Sequence, residues 1–267
     1  AQLSVWDEAH PAPTGTNAGP DFERRLLRWF HEDAQRQLAA AAASPERFRE
    51  LAGPALEVVV GRTLDEAGKV EWHLVHKADR GAWLEMSGLL RNVTHGEELP
   101  VVFCYPKKWN GVTTVWLSGR GKAALHEGAG KLQPEVQRLV DAGHTVVGVD
   151  LLYQGEFLVD GRPLARTPRV KNPREAAAYT FGYNPAVFAQ RAHDILTVVQ
   201  FIRTSDRPSK RLDAVAVDGA GPWLAAARAV RTCAMTLPMS FAELAPVSAT
   251  AAVTAAAMSS TDRAGGR

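Results

Sequence analysis

The run A-V-A-V-D-G-A-G-P-W over residues 214–223 holds one side chain able to do chemistry, Asp218, where an apolar stretch gives way to small residues and then Pro222. Proline can open a helix, because the N–H it lacks is one that the first turn leaves unpaired anyway. The spacing predicts a strand, a very tight turn and a helix, with a carboxylate at the apex. Such a turn either presents a reactive group or only connects. A second stretch, L-S-G-R-G-K over 117–122, follows the strand-like T-T-V-W. Its Gly-Lys pair suggests a phosphate loop, but G-x-x-x-x-G-K-[ST] would need glycine at Trp116 and a hydroxyl at Ala123. A glycine turn after a strand can instead aim backbone N–H groups at an oxyanion, where one donor is worth roughly 3 kcal/mol of barrier. The third stretch is V-D-L-L-Y-Q-G-E over 149–156. Neither it nor the Asp218 turn contains G-x-G-x-x-G, so no dinucleotide or other cofactor is expected. His73 and His76 are three apart in a strand-like run, which predicts opposite faces and no shared metal.

Composition narrows the class. With 46% hydrophobic and 22% charged residues, the 267-residue chain reads as an ordinary soluble globular protein. Its net charge of +2, from 31 basic and 29 acidic residues, creates no strong field, and neither nucleic acid nor membrane is expected as a partner. No apolar run reaches the roughly 18–20 residues needed to cross a bilayer. Cys104 and Cys233 lie far apart, outside any metal-binding spacing, and read as buried thiols. The chain begins at Ala1, which suggests a processed product or a piece of something longer. A secreted or periplasmic location is compatible with that, and the compartment stays open. The N-V-T run at Asn92 fits a glycosylation acceptor.

Residues 1–54 read as an extended lead-in followed by helices. The first helix runs from an Asp21 cap to about Ala43, with Phe22, Leu26, Leu27, Phe30 and Ala34 at helical spacing; the second runs from Ser44-Pro45 to near Gly53. Strand-like runs follow at Leu56–Val60, Val70–His76, Trp83–Leu90 and Val101–Tyr105, an antiparallel opening. From Val112 the pattern alternates. Strands are expected at 112–117, 145–151 and 212–217, and helices at 133–142, 185–203 and 222–231. The main domain is thus 55–231, interrupted by an excursion at 159–184. The tail, 232–267, is rich in Ala, Ser and Thr and yields no element. Arg162, Arg166 and Arg169 read as a solvated loop. Trp109, Trp116 and Trp223 are expected near the upper rim of the sheet, where aromatic faces can stack on sugars.

The order of these segments carries a resemblance. T-V-V-G-V-D-L-L-Y-Q-G-E-F looks like the strand and loop preceding the cap in α/β-hydrolases, W-L-S-G-R-G resembles their oxyanion strand and loop, and Y-N-P-A-V-F-A-Q-R-A-H-D-I-L-T-V-V-Q-F-I resembles the helix before the nucleophile strand. Together with A-V-A-V-D-G-A-G-P-W, they resemble the acetyl xylan esterase-like branch of the carbohydrate esterases, over roughly residues 56–231. The resemblance implies an α/β fold: a three-layer α/β-hydrolase-like sheet, mostly parallel with an antiparallel N-terminal part and helices on both faces. Strands beyond the elbow helix are expected to be missing here.

It also implies roles for residues. The pattern small-x-nucleophile-x-small falls on Ala216-Val217-Asp218-Gly219-Ala220 and places Asp218 where serine would stand. Ser118, Gly119, Arg120, Gly121 and Gly219 take the oxyanion-loop positions. In hydrolases similar to haloalkane dehalogenases and epoxide hydrolases an aspartate attacks from that position, and water then opens the ester with help from a base, almost always a later histidine. His10, His31, His73, His76, His95, His126, His144 and His193 all precede Asp218. Ser118 reads as a turn residue, and a register shifted by one would place Gly219, which has no attacking group, at the apex. The resulting expectation is an esterase-type domain made inactive by an incomplete catalytic set, a pseudoenzyme or a fragment. Two alternatives stand beside it: an active hydrolase using Asp218, and a non-catalytic carbohydrate-binding or scaffolding domain. The expected partner is a small-molecule or carbohydrate ester, with self-association through an open sheet edge.

Overall fold

A computed structural model describes residues 7–11, 14, 19, 21–128, 130–162, 164, 166, 168, 182–230 and 239–243. The chain divides into two compact units, Ala1–Ala55 and Leu56–Arg267.

In the first unit the predicted helix forms as α1 (Phe22–Ala41). Asp21 precedes it but makes no side-chain cap. Ser44 does cap α2 (Pro45–Val60), its Oγ accepting from the Arg47 N–H at 3.3 Å. The helix runs past Pro54, and the strand expected at Leu56–Val60 is its final turn. Packing explains this correction. Leu56 and Val60, four apart and themselves part of the second unit, join its core, while Val58 and Val59 stay exposed, which is a helical and not an alternating pattern.

The second unit is built on a seven-stranded sheet. Its strands are β1 (Val70–Asp79), β2 (Trp83–Asn92), β3 (Glu97–Pro106), β4 (Val112–Ser118), β7 (Thr145–Val149), β8 (Arg211–Val217) and β9 (Met239–Glu243), in the spatial order β1-β2-β3-β7-β4-β8-β9. β7, β4, β8 and β9 are parallel, and β1 to β3 join them antiparallel. A short hairpin, β5 (His126–Gly128) and β6 (Lys131–Leu132), forms a second sheet that the sequence does not announce. β9 corrects the expectation that no strand follows the elbow helix; Met239–Glu243 adds to the edge of β8.

Helices cover both faces. On one, α4 (Val187–Thr204) and α5 (Gly221–Ala229) bury Ile195, Leu196 and Leu224 against Leu117, Val147 and Leu212. On the other, α3 (Pro134–Asp141) packs Val136 and Val140 against Val102, Cys104 and Val146. Leu117 and Leu212 are fully enclosed, and burial of this kind contributes roughly 1.5–3 kcal/mol per large side chain. This is a three-layer α/β arrangement around a mixed sheet, antiparallel from β1 to β7 and parallel from β7 to β9.

Three smaller expectations change. Pairing between β1 and β2 jumps from Leu74–Gly88 to His76–Ser87, so Val75 is an extra residue, and this bulge turns His76 onto the face of His73. Both rings are exposed, and among the described residues no three His, Cys, Asp or Glu side chains cluster as a metal site. Asn92 is buried, its Nδ2 donating to Ala67 O at 2.7 Å and to Thr197 Oγ1 at 3.1 Å, so the N-V-T run is no acceptor in the folded chain. Trp109 precedes β4 at the N-terminal end of the parallel strands, its indole donating to Val112 O, and so lies opposite the expected rim.

Candidate functional site

β4 and β8 run parallel in register up to Ser118 opposite Val217, and both chains then leave the sheet at the same edge. The loops of two of the three stretches therefore lie side by side. After Val217 the backbone turns sharply. Asp218 has φ 53° and Gly219 φ 82°, the Ala220 N–H donates back to Val217 O at 3.1 Å, and α5 begins at Gly221. A left-handed backbone costs a non-glycine residue about 1–2 kcal/mol, and such strain gathers where a side chain must be presented. Ala220 is completely buried, which demands a small residue there. Gly119 is required for a related reason: a Cβ on it would lie 2.1 Å from the Asp218 carbonyl oxygen.

Among the described residues the Asp218 carboxylate has two partners, one at the end of β4 and one in the loop after it. Ser118 Oγ donates to Asp218 Oδ2 at 2.7 Å, and Arg120 Nε donates to the same oxygen at 3.2 Å. Ser118 Oγ in turn accepts from the Arg120 N–H at 3.0 Å. Ser118 is only 1% exposed, so its hydroxyl orients the carboxylate and meets no substrate. The Arg120 side chain is 66% exposed and the pair is weak, worth about 0–1 kcal/mol. Among the described residues nothing accepts from the Gly219 N–H, which is where a receiving donor for an oxyanion would be.

The third loop supports the first. Asp150, buried at the end of β7, accepts from the Lys122 N–H at 2.8 Å and the Glu156 N–H at 3.0 Å, and pairs with Lys122 Nζ, which also meets Glu156. Gly121, at φ 72°, is pressed against this carboxylate, and any Cβ there would lie 2.3 Å from Asp150 Oδ1. Gln154 completes the clamp: its Nε2 donates to Ser118 O at 3.0 Å and Gly119 O at 3.1 Å, while its Oε1 accepts from the Leu151 N–H. From below, Asp194 and Arg191 of α4 hold Leu152, Asp194 Oδ2 accepting its N–H at 2.7 Å and Arg191 Nε donating to its carbonyl at 3.0 Å. Arg191 also lies over the Trp223 ring, 4.2 Å from its centroid. Burial pushes the Asp194 carboxyl up to about 7, against the Leu152 N–H, which lowers it.

Sequence reasoning named Asp218 and the β4 loop, and the structure brings Ser118, Gly119, Arg120 and Asp218 together. It missed Asp150, Gln154, Asp194 and Lys122. A signal for the first was present, since V-V-G-V-D ends an apolar strand on an acid followed by Gly155, but a strand-end acid gives no hint of its partners. Imidazoles are elsewhere. His193 is buried, with Nε2 against Val60 O at 2.6 Å and Nδ1 against Gln190 Oε1, and burial pushes its pKa down. His144 pairs with Thr114, His126 with Glu85, His95 with Glu66 O and His10 with Asp7. His73 and His76 lie on β1, five strands from β8, about 24 Å at the usual strand spacing. Cys104 is buried and its thiol is pushed up to about 12 by burial. Trp116 lies in the second core cluster, and Arg162 and Arg166 are exposed. Arg169 and Cys233 fall outside the described residues.

No protein-family model and no curated protein matches this chain. Solved structures with a similar course of chain include a Bacteroides fragilis protein assigned as an acetyl xylan esterase, with TM-score 0.48 and 10% identity over 69% of this chain and 50% of that one. Acetyl xylan esterase 1 from Thermoanaerobacterium sp. gives 0.46 and 14%, over 66% and 53%. The acetyl xylan esterase from Paenibacillus sp. gives 0.41 and 13%, over 66% and 54%. This chain spans 50–54% of the length of these three.

Proposed function

We propose that this chain is an esterase-type α/β-hydrolase domain with an incomplete catalytic set, which faces a carbohydrate ester across its C-terminal rim without turning it over. The observation that carries the reading is the elbow. Asp218 takes the nucleophile position with a left-handed backbone, and its carboxylate bonds Ser118 and Arg120 instead of an imidazole. An aspartyl ester formed there would have to be opened by base-activated water, and among the described residues no imidazole bonds the carboxylate. The carbohydrate ester comes from the order of motifs along the chain.

The test is turnover of p-nitrophenyl acetate and of an acetylated xylo-oligosaccharide by the purified chain and by Asp218→Asn. Equal rates in both, no higher than buffer, are expected. Turnover that disappears in Asp218→Asn would overturn the reading. It would favour the alternative that Asp218 attacks and another chain supplies the base, an alternative to which the part-exposed carboxylate with its second oxygen unbonded among the described residues lends support.

A further inference from the structure

Among the described residues two that are not glycine have left-handed backbones, Asp218 at the elbow and Tyr153 at φ 60°. Side chains as bulky as tyrosine rarely adopt that region, and a residue held there is over-determined by its surroundings. At Tyr153 the cause is visible on both sides. Leu152 is tied through its N–H and its carbonyl to Asp194 and Arg191, and the Gln154 N–H donates to Leu151 O at 2.9 Å while its side chain grips the Ser118–Gly119 loop. The backbone is thus fixed by α4 and the β4 loop before residue 153 is chosen, and glycine or asparagine would occupy it with less strain.

The tyrosine gives the fold little in return. It is half-buried, yet its ring joins neither core cluster, and among the described residues its hydroxyl has no hydrogen-bond partner. It stands next to the glutamine that bridges to the loop holding Asp218. An amphipathic ring with a hydroxyl unbonded among the described residues, kept at a strained position in the loop after β7, matches the chemistry of sugar binding, in which an aromatic face covers the C–H face of a pyranose and a hydroxyl meets its polar edge. Resting on the reading that this rim faces a carbohydrate ester, we propose that Tyr153 contacts the sugar ring of the ligand and selects for it.

The experiment is isothermal titration of the full chain with an acetylated xylo-oligosaccharide, for the wild type, Tyr153→Phe and Tyr153→Asn, with Tm measured for each. The wild type should bind. Tyr153→Phe should lose about threefold through the hydroxyl, and Tyr153→Asn at least tenfold, with its Tm within about 2 °C of the wild type because asparagine tolerates the backbone. Wild-type affinity in Tyr153→Asn would overturn the role of Tyr153 and leave the reading of the rim standing. A fall in Tm of more than about 5 °C in that variant would make the ring a packing element and overturn the proposal. No binding by the wild type would instead remove the reading of the rim, and the contact with it.

Discussion

The loops after β7 and β8 leave the sheet at the same edge, yet they are built differently. The β7 loop is bonded at nearly every residue: Asp150, Leu151, Leu152, Gln154 and Glu156 all contribute hydrogen bonds to the β4 loop, to α4 or to one another. The β8 turn carries a part-exposed carboxylate whose partners among the described residues, Ser118 and Arg120, come from the end of β4 and the loop after it. The bonding around the β7 loop is dense, and that around the Asp218 carboxylate is sparse. Scaffold and chemistry can therefore separate: the fold depends on the first region, and the second can change with little effect on stability.

The sharpest way to break this contrast is Asp150→Ala. It leaves two N–H groups without their acceptor and the Lys122 ammonium with only the exposed Glu156 carboxylate, and removing one partner of a buried pair costs about 3–5 kcal/mol. Thermal unfolding should show Tm lower by about 6–15 °C. A change below about 2 °C would mean that the clamp contributes nothing and the contrast is false.

Asp194 offers the next largest effect, with a defined sign. Its folded pKa is raised to about 7, whereas an unfolded aspartate titrates near about 3.9. Between those values the folded chain holds a proton that the unfolded chain has released, so this group's contribution to stability falls as pH rises from about 4 to 7 and is level above. The wild type minus Asp194→Asn difference in unfolding free energy should decline by roughly 4 kcal/mol across that window in urea titrations, the asparagine oxygen still accepting from Leu152. A flat difference would show that the carboxyl is not desolvated. Gln154→Leu comes third. It strands the Ser118 and Gly119 carbonyls and should cost about 1–2 kcal/mol by the same titration.

The two regions were also unequally legible in the sequence. The elbow was read to the residue, because strand, turn and helix there are local: β-branched residues up to Val217, small residues after it, and Pro222 at the helix start. β4, β7 and β8 and the helices α3 to α5 were placed for the same reason, through their periodicity, whereas β9 was not. The β7 loop was found as a loop and nothing more, because the partners that tie Asp150 and Gln154 to the β4 loop lie 28 to 36 residues away and those of Leu152 about 40. Non-local pairing also explains the other differences. Leu56–Val60 has strand-forming residues but only Leu56 and Val60 find a core, and the bulge at Val75 follows from pairing with β2, which the spacing of His73 and His76 cannot reveal.

The smallest expected effect falls on the residue that looks most important. Asp218→Asn keeps an acceptor for Ser118 Oγ, loses an exposed ion pair with Arg120 worth about 0–1 kcal/mol, and keeps a side chain that tolerates φ near 53°. Its Tm should stay within about 2 °C of the wild type. Asp218→Val puts a β-branched side chain on the same backbone and should lower Tm by several degrees, at about 1–2 kcal/mol or more. If the asparagine variant fell as far as the valine one, the carboxylate itself would be holding the turn, and the division between a fixed scaffold and a replaceable side chain would fail at its central residue.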